Sequence, residues 1–286
     1  MNWNFWIVQT FNGISYGALL FLVGSGLSLI FGVMRIVNLS HGSYFLLGGY
    51  VALSVIWTTG SWLLALPVAA IAIALIGLVM ERVFLRPLGF DPLRQVLLTV
   101  GFAFLFQQAA LDIWTGNNFD INPPDVLSQS IVVGGVYLPL YRIFMIAIAL
   151  AIGLLLWLVM EKTRMGAAVR ATVDDAQMAR GVGVDTSRIS MLIFSLGAFL
   201  AALGGVIGGA FLGIYPGLDF EMLPLAFAVV IIGGMGSLGG AAIGALAVGL
   251  ADNFGKALFP EVSYFTLYAP MALILAVKPT GLFGRE

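Results

Sequence analysis

The chain contains no cysteine and a single histidine, His41. The first absence excludes disulfides, thiolate nucleophiles and zinc–thiolate sites. The second leaves no cluster of the residues that hydrolytic or metal-dependent chemistry needs, so a membrane-embedded enzyme is disfavoured and no metal or catalytic residue is assigned. Charge is scarce too: only 9% of the 286 residues are Asp, Glu, Lys or Arg, against 60% hydrophobic residues. With a mean hydropathy of +1.05, such a chain cannot expose its apolar surface to water without aggregating. A phosphate-binding loop G-x-x-x-x-G-K-[ST] is also missing, the nearest stretch being Gly255-Lys256-Ala257, so any ATP is hydrolysed by another polypeptide. Met1 to Gln9 lack the basic stretch of a cleaved leader, so the first apolar run is expected to be retained as a helix.

What is present is a series of apolar segments of membrane-spanning length. They fall near 6–31, 41–58, 62–80, 95–114, 142–160 and 189–213, with a last one over 263–277. Residues 222–250 are apolar but cut by Gly233-Gly234-Met235-Gly236-Ser237-Leu238-Gly239-Gly240. The expected fold is an all-α polytopic transmembrane helical bundle of 8–9 segments, with a glycine-broken or short-helix region near 222–250, forming a single domain over 1–286.

Basic residues fix the expected orientation, because loops rich in Lys and Arg stay in the cytoplasm. Arg82, Arg86 and Arg94 lie in one loop, Lys162, Arg164, Arg170, Arg180 and Arg188 in a second, and Lys278 and Arg285 in the tail. The connections 115–141 and 214–221 carry acidic residues and are placed outside. The N-terminus is then outside and the C-terminus cytoplasmic. Lys256 falls toward the outer side, where Asp252, four residues earlier on one helical face, can neutralise it. Leu78-Val79-Met80-Glu81-Arg82 is echoed by Leu158-Val159-Met160-Glu161-Lys162, each at a helix end, which is either a trace of duplication or a chance match.

The 161–188 stretch is the longest hydrophilic interruption and has the character of a cytoplasmic docking loop. Residues 166–180 are good helix formers stopped by Gly181 and Gly183. Met165, Val169, Val173 and Met178 give that helix an apolar side for a partner's groove, and Arg170, Asp174, Asp175 and Arg180 set its register. The alternative is an interfacial amphipathic helix with no partner. Within the spans, polar groups are few. Asn38 and His41 stand where the second segment begins, and Gln107 and Gln108 point different ways on the fourth. A hydrogen-bonded packing role for His41 is the ordinary reading, contact with a solute the sharper one. The glycine run, with Gly234, Gly236, Ser237 and Gly239, is a candidate backbone-lined stretch of a solute path, since irregular backbone in a membrane survives only against protein or a water-filled cavity.

Phe31-Gly32-Val33-Met34-Arg35-Ile36-Val37-Asn38, His41-Gly42 and Leu47-Gly48-Gly49-Tyr50 resemble the N-terminal signature of the permeases of branched-chain amino acid ABC importers. The resemblance continues through Arg164-Met165-Gly166, Arg170-Ala171, Asp174-Asp175, Ala179, Gly183-Val184 and Gly233 to Ser237, and ends on Lys278-Pro279-Thr280-Gly281-Leu282-Phe283-Gly284. It implies a permease subunit of an ATP-driven importer in the bacterial cytoplasmic membrane, moving branched-chain amino acids or similar small solutes inward. The implied partners are a second, related permease, two cytoplasmic ATP-binding subunits that bind ATP and Mg, and an extracytoplasmic solute-binding protein, with no nucleic acid. It also implies that Gly166, Arg170, Asp174, Asp175, Met178 and Arg180 belong to the ATPase-coupling loop, while Asn38, His41, Gln107, Gly234, Gly236, Ser237 and Gly239 stand as pathway candidates. The other readings are an ion-coupled carrier, disfavoured because few ionisable residues fall at mid-depth, and a passive channel for a small polar solute such as urea or an amide.

Overall fold

A computed structural model describes residues 3–89, 91–278 and 280–284; Met1, Pro279 and Arg285 lie outside them. Helices α1 (Trp3–Met34), α2 (His41–Thr59), α3 (Trp62–Val79), α4 (Pro92–Trp114) and α5 (Leu140–Lys162) are followed by the short α6 (Arg164–Asp174) and α7 (Ala176–Gly181). The chain then returns through α8 (Thr186–Leu212), α9 (Leu218–Gly233), α10 (Leu238–Leu258) and α11 (Ser263–Val277). Two strands, β1 (Ser130–Val133) and β2 (Val136–Pro139), form an antiparallel hairpin in the 115–139 connection. Its turn is Gly134-Gly135, both at positive φ (59° and 81°), the geometry that a two-residue hairpin turn requires.

Among the described residues, six helices are long and apolar enough to cross a membrane: α1, α3 with its continuation to Leu88, α4, α5, α8 and α10. The chain is thus a polytopic helical bundle. With α2, α9 and α11 the bundle has nine helices at the expected places. The glycine break makes one short helix rather than two, because α10 runs 21 residues while α9 has 16. At 1.5 Å per residue α9 spans roughly 24 Å, less than the ~30 Å hydrocarbon layer.

The bundle has two ends. One gathers Arg35, the Arg82–Arg94 region, α6 and α7, and is called the basic end; the other carries the β-hairpin. α2 sits in the centre, buried without interruption from Ser40 to Tyr50. Glycines allow this: a Cβ on Gly48 would lie 2.5 Å from the Ala202 Cα on α8, and one on Gly26 would lie 2.6 Å from the Gly197 carbonyl. Between apolar helices in lipid such close approach is the main source of attraction. α10 lies along α1 in the same way, with Gly17 against the Ala245 carbonyl.

The C-terminal tail folds back on the α9–α10 turn, where Leu282 N–H donates to the Ile232 carbonyl and Phe283 N–H to that of Gly233, both at 3.0 Å. That turn packs on Gly32 near the basic end of α1, so the tail and the basic loops share one end. At the opposite end Lys256 pairs with Asp252 at 2.7 Å, as the spacing suggests.

Candidate functional site

Polar groups collect where α2 and α9 begin, in the interior of the bundle rather than at its surface. Asn38, Ser40, His41, Ser43, Thr99 and Asp219 are all buried. His41 Nε2 meets the Val23 carbonyl at 3.0 Å, and Val23 lies roughly 17 Å from the Met34 end of α1 at 1.5 Å per residue. The Phe220 ring packs 5.9 Å from that of Phe104, near the midpoint of α4. Both helices therefore start inside the layer. The 214–221 connection, expected outside, instead carries Asp219 into the interior, because Gly217 at φ 98° turns the chain inward before α9 starts.

Each polar side chain has an identifiable partner, and three keep an unused group. Asn38 Oδ1 accepts from the Ser40 N–H at 3.1 Å and from the Ser40 hydroxyl at 2.7 Å, fixing the turn that leads into α2. The Ser43 hydroxyl donates to Asp219 Oδ2 at 3.0 Å, tying the first turns of α2 and α9 together. A carbonyl only accepts, so His41 carries its proton on Nε2 and presents Nδ1 as an acceptor. Asn38 Nδ2, His41 Nδ1 and Asp219 Oδ1 have no partner within hydrogen-bond geometry among the described residues. Two helix N-termini meeting a carboxylate place positive dipole ends beside it.

A second feature lies toward the basic end. Arg86-Pro87 stops α3, since Pro87 has no N–H to continue the ladder, and Met80–Leu85 widens into a π-helical turn. That turn brings Arg86 onto Glu81, whose carboxylate is 2% exposed, at 2.8 Å. A cleft of about 190 Å³ opens beside the pair, lined by Met34, Gln95, Thr172, Arg180 and Ser190 among others. The Met80 sulfur accepts a hydrogen bond from the Tyr44 hydroxyl at 2.8 Å, so the π turn also touches the polar interior.

The coupling segment differs from the single 166–180 helix expected. It is two helices, α6 and α7, broken at Asp175, whose side chain accepts from the Gln177 and Met178 N–H groups at 2.8 and 2.9 Å and so caps α7. Val169 is buried against the chain's own Met160, Leu29 and Ile193 cluster, with Val173 packed beside it, so that face of α6 is not offered outward. Met178 and Val182 are the exposed apolar residues, at 67% and 75%. Gly166 sits under Met160, Arg170 reaches the Met160 carbonyl and stands 3.6 Å from Glu161, Asp174 and Asp175 are exposed, and Arg180 lines the cleft.

Of the pathway candidates, Asn38 and His41 fall together in the interior. Gln107 is half-buried on α4, roughly 12 Å beyond Thr99 along that helix. Gly234, Gly236 and Ser237 form the α9–α10 turn, where Gly236 meets Gly32, and Gly239 follows in the first turn of α10. That turn lies roughly 13 Å along α1 from Val23, so these candidates make a separate group.

Residues 9–275 match the family described as "Branched-chain amino acid transport system / permease component". The chain belongs to this family. It is 32% identical to the high-affinity branched-chain amino acid transport system permease protein LivH of Escherichia coli K12, over 98% of this chain and 96% of that one. It is 28% identical, over the same shares, to the high-affinity branched-chain amino acid transport system permease protein BraD of Pseudomonas aeruginosa. A shorter match, 31% over 63% of this chain and 53% of the relative, joins it to the autoinducer 2 import system permease protein LsrC of Salmonella paratyphi B. No solved structure gives a significant match. Within this permease family, sequence reasoning singled out neither Ser43, Tyr44, Met80 and Asp219 as part of the interior nor the ion pair of a buried Glu81 with Arg86. A signal existed for Asp219: acidic residues just after Gly217 and just before an apolar run mark a helix start.

Proposed function

We propose that this permease is the translocation subunit of an ATP-driven importer that carries branched-chain amino acids, or small solutes of similar size, into the cytoplasm. In this reading it sits in a bacterial cytoplasmic membrane with the basic end inside, the N-terminus outside and the C-terminus cytoplasmic. A second, related permease completes the pathway, an extracytoplasmic binding protein delivers the solute, and two ATP-binding subunits with their ATP and Mg dock on the basic end. The substrates named for LivH and BraD support the solute class, and near full-length coverage of both chains supports the role. The match to LsrC supports latitude in the solute, selectivity resting largely with the delivering protein.

The observation that carries the reading is the exposed pair of Met178 on α7 and Val182 just after it, on a chain with no nucleotide-binding motif. Exposed apolar side chains on an otherwise hydrophilic segment suit a partner's groove. Purification of the tagged permease from its own membranes should bring a second permease and P-loop ATPases with it. Met178→Asp with Val182→Asp should lower ATPase recovery about tenfold while the chain stays folded, because a charge placed in an apolar contact is unpaired there. Equal recovery removes α7 as the docking site. Solute contact is assigned in this proposal to Asn38 and His41 at the start of α2 with Asp219, the glycine turn lining the path further toward the cytoplasm. Asp219 also favours a second reading, an ion-coupled carrier, because a buried carboxylate at this depth is the kind of group such carriers use; sensitivity of uptake to proton ionophores in the absence of ATP would favour it.

A further inference from the structure

We propose that Glu81 and Arg86 are positioning residues for transport: their ion pair makes the end of α3 and the start of α8 move as one body, linking the coupling segment to the polar interior. This rests on the ATP-driven role proposed for the permease. Arg86 makes three contacts at once. Its Nε donates to Glu81 Oε1 at 3.3 Å, and one terminal nitrogen donates to Glu81 Oε2 at 2.8 Å and to the Ser187 carbonyl at 3.1 Å. Ser187 is in the first turn of α8, directly after the turn that leaves α7. On the other side, Met80 precedes Glu81 and accepts the Tyr44 hydroxyl at 2.8 Å, and Tyr44 stands in the first turn of α2 one residue from Ser43. A displacement of α7 thus reaches α2 through α8, Arg86, Glu81 and Met80 without a gap in contact.

Two physical arguments favour transmission over simple packing. The Glu81 carboxylate is buried while Arg86 stays 36% exposed, and a pair of this kind adds little stability compared with apolar residues of the same size, so stability alone does not account for it. The segment is also built to shift. It is a π-helical turn, a rare form that occurs frequently at functional sites, and the adjoining cleft of about 190 Å³ leaves room that a close-packed interior would not. Lysine cannot replace Arg86, because only a planar guanidinium reaches both carboxylate oxygens and a carbonyl together.

The test uses the complete importer in proteoliposomes and reads solute moved per ATP hydrolysed. Glu81→Gln and Arg86→Lys should keep assembly and ATP hydrolysis within about twofold while transport per ATP falls about tenfold or more, the range of ordinary coupling energies. A short thiol crosslink between Leu85→Cys and Ser190→Cys, both lining the cleft, is selective because the chain has no cysteine. The crosslink should restore coupling to Arg86→Gln and leave the parent transporting. An Arg86→Lys importer with the parent's ratio, or a crosslinked parent that stops, overturns the clamp alone. A parent that takes up solute without hydrolysing ATP overturns the ATP-driven reading and the clamp with it. Should the single variants fail to fold, the crosslinked parent still decides.

Discussion

Leu78-Val79-Met80-Glu81-Arg82 and Leu158-Val159-Met160-Glu161-Lys162 are nearly the same five residues at the ends of two helices, and they end up doing different things. Glu81 is 2% exposed and held by both carboxylate oxygens, whereas Glu161 is 51% exposed with Arg170 at 3.6 Å. The difference lies in the residues just beyond each pentapeptide. After Arg82 the chain stays helical through the π turn, which carries Arg86 back over Glu81. After Lys162, Thr163 caps α6, accepting from the Gly166 N–H at 3.1 Å, and the chain turns onto α6, which packs back on the bundle and leaves Glu161 at the surface. A matching pentapeptide therefore reports a helix approaching the basic end, and the next few residues decide whether its carboxylate is structural or solvated.

Substitutions at paired positions break or sharpen that contrast. Arg86→Ala leaves the Glu81 carboxylate buried and unpaired and should cost about 1–3 kcal/mol, toward the low side because Arg86 itself is partly exposed. A thermal midpoint in mild detergent that drops by several degrees agrees; no shift would mean that water reaches Glu81. Met80→Leu keeps the volume but removes the sulfur that accepts the Tyr44 hydroxyl, costing about 1–2 kcal/mol. Met160→Leu, its counterpart, removes no such bond and should cost under about 1 kcal/mol by the same melting assay. The smallest effect belongs to Arg170→Ala, whose pair with Glu161 is exposed and worth at most about 1 kcal/mol; a loss equal to that of Arg86→Ala would erase the contrast.

The glycine turn separates fold from function in a similar way. Gly236 is at φ 79° with Gly32 Cα 2.9 Å from where its Cβ would be, so any substitution there disturbs packing first. Gly239 has open space around it. Gly239→Val should leave the melting profile unchanged, so that a loss of uptake would report on the pathway or a partner alone; unchanged uptake removes Gly239 from the path.

Most of the architecture was legible in the sequence, because apolar runs separated by basic or acidic loops leave few ways to thread a bilayer. The bounds of α2, α5 and α8 fall within a few residues of the hydropathy segments. The parts that were not legible depend on single side chains or on long-range packing. Asp175 splits the coupling helix by capping it from within, a competition that helix propensity does not weigh. Val169 faces inward because Met160 and Ile193 happen to lie there. Asp219 looked like a loop residue since its burial follows from Gly42 and Ser43, far away in the chain, packing against the start of α9. Asn38 and His41 were visible as polar exceptions in an apolar stretch, yet their place well inside the layer follows only from the contact with Val23.

The most direct measurement is leucine uptake by proteoliposomes holding this permease with its co-purified subunits, with ATP supplied on the cytoplasmic side and membrane gradients collapsed by ionophores. The account predicts uptake that requires ATP and its hydrolysis and is indifferent to the ionophores. Uptake by the permease alone, without ATP and abolished by the ionophores, would contradict it and leave a carrier working through Asp219.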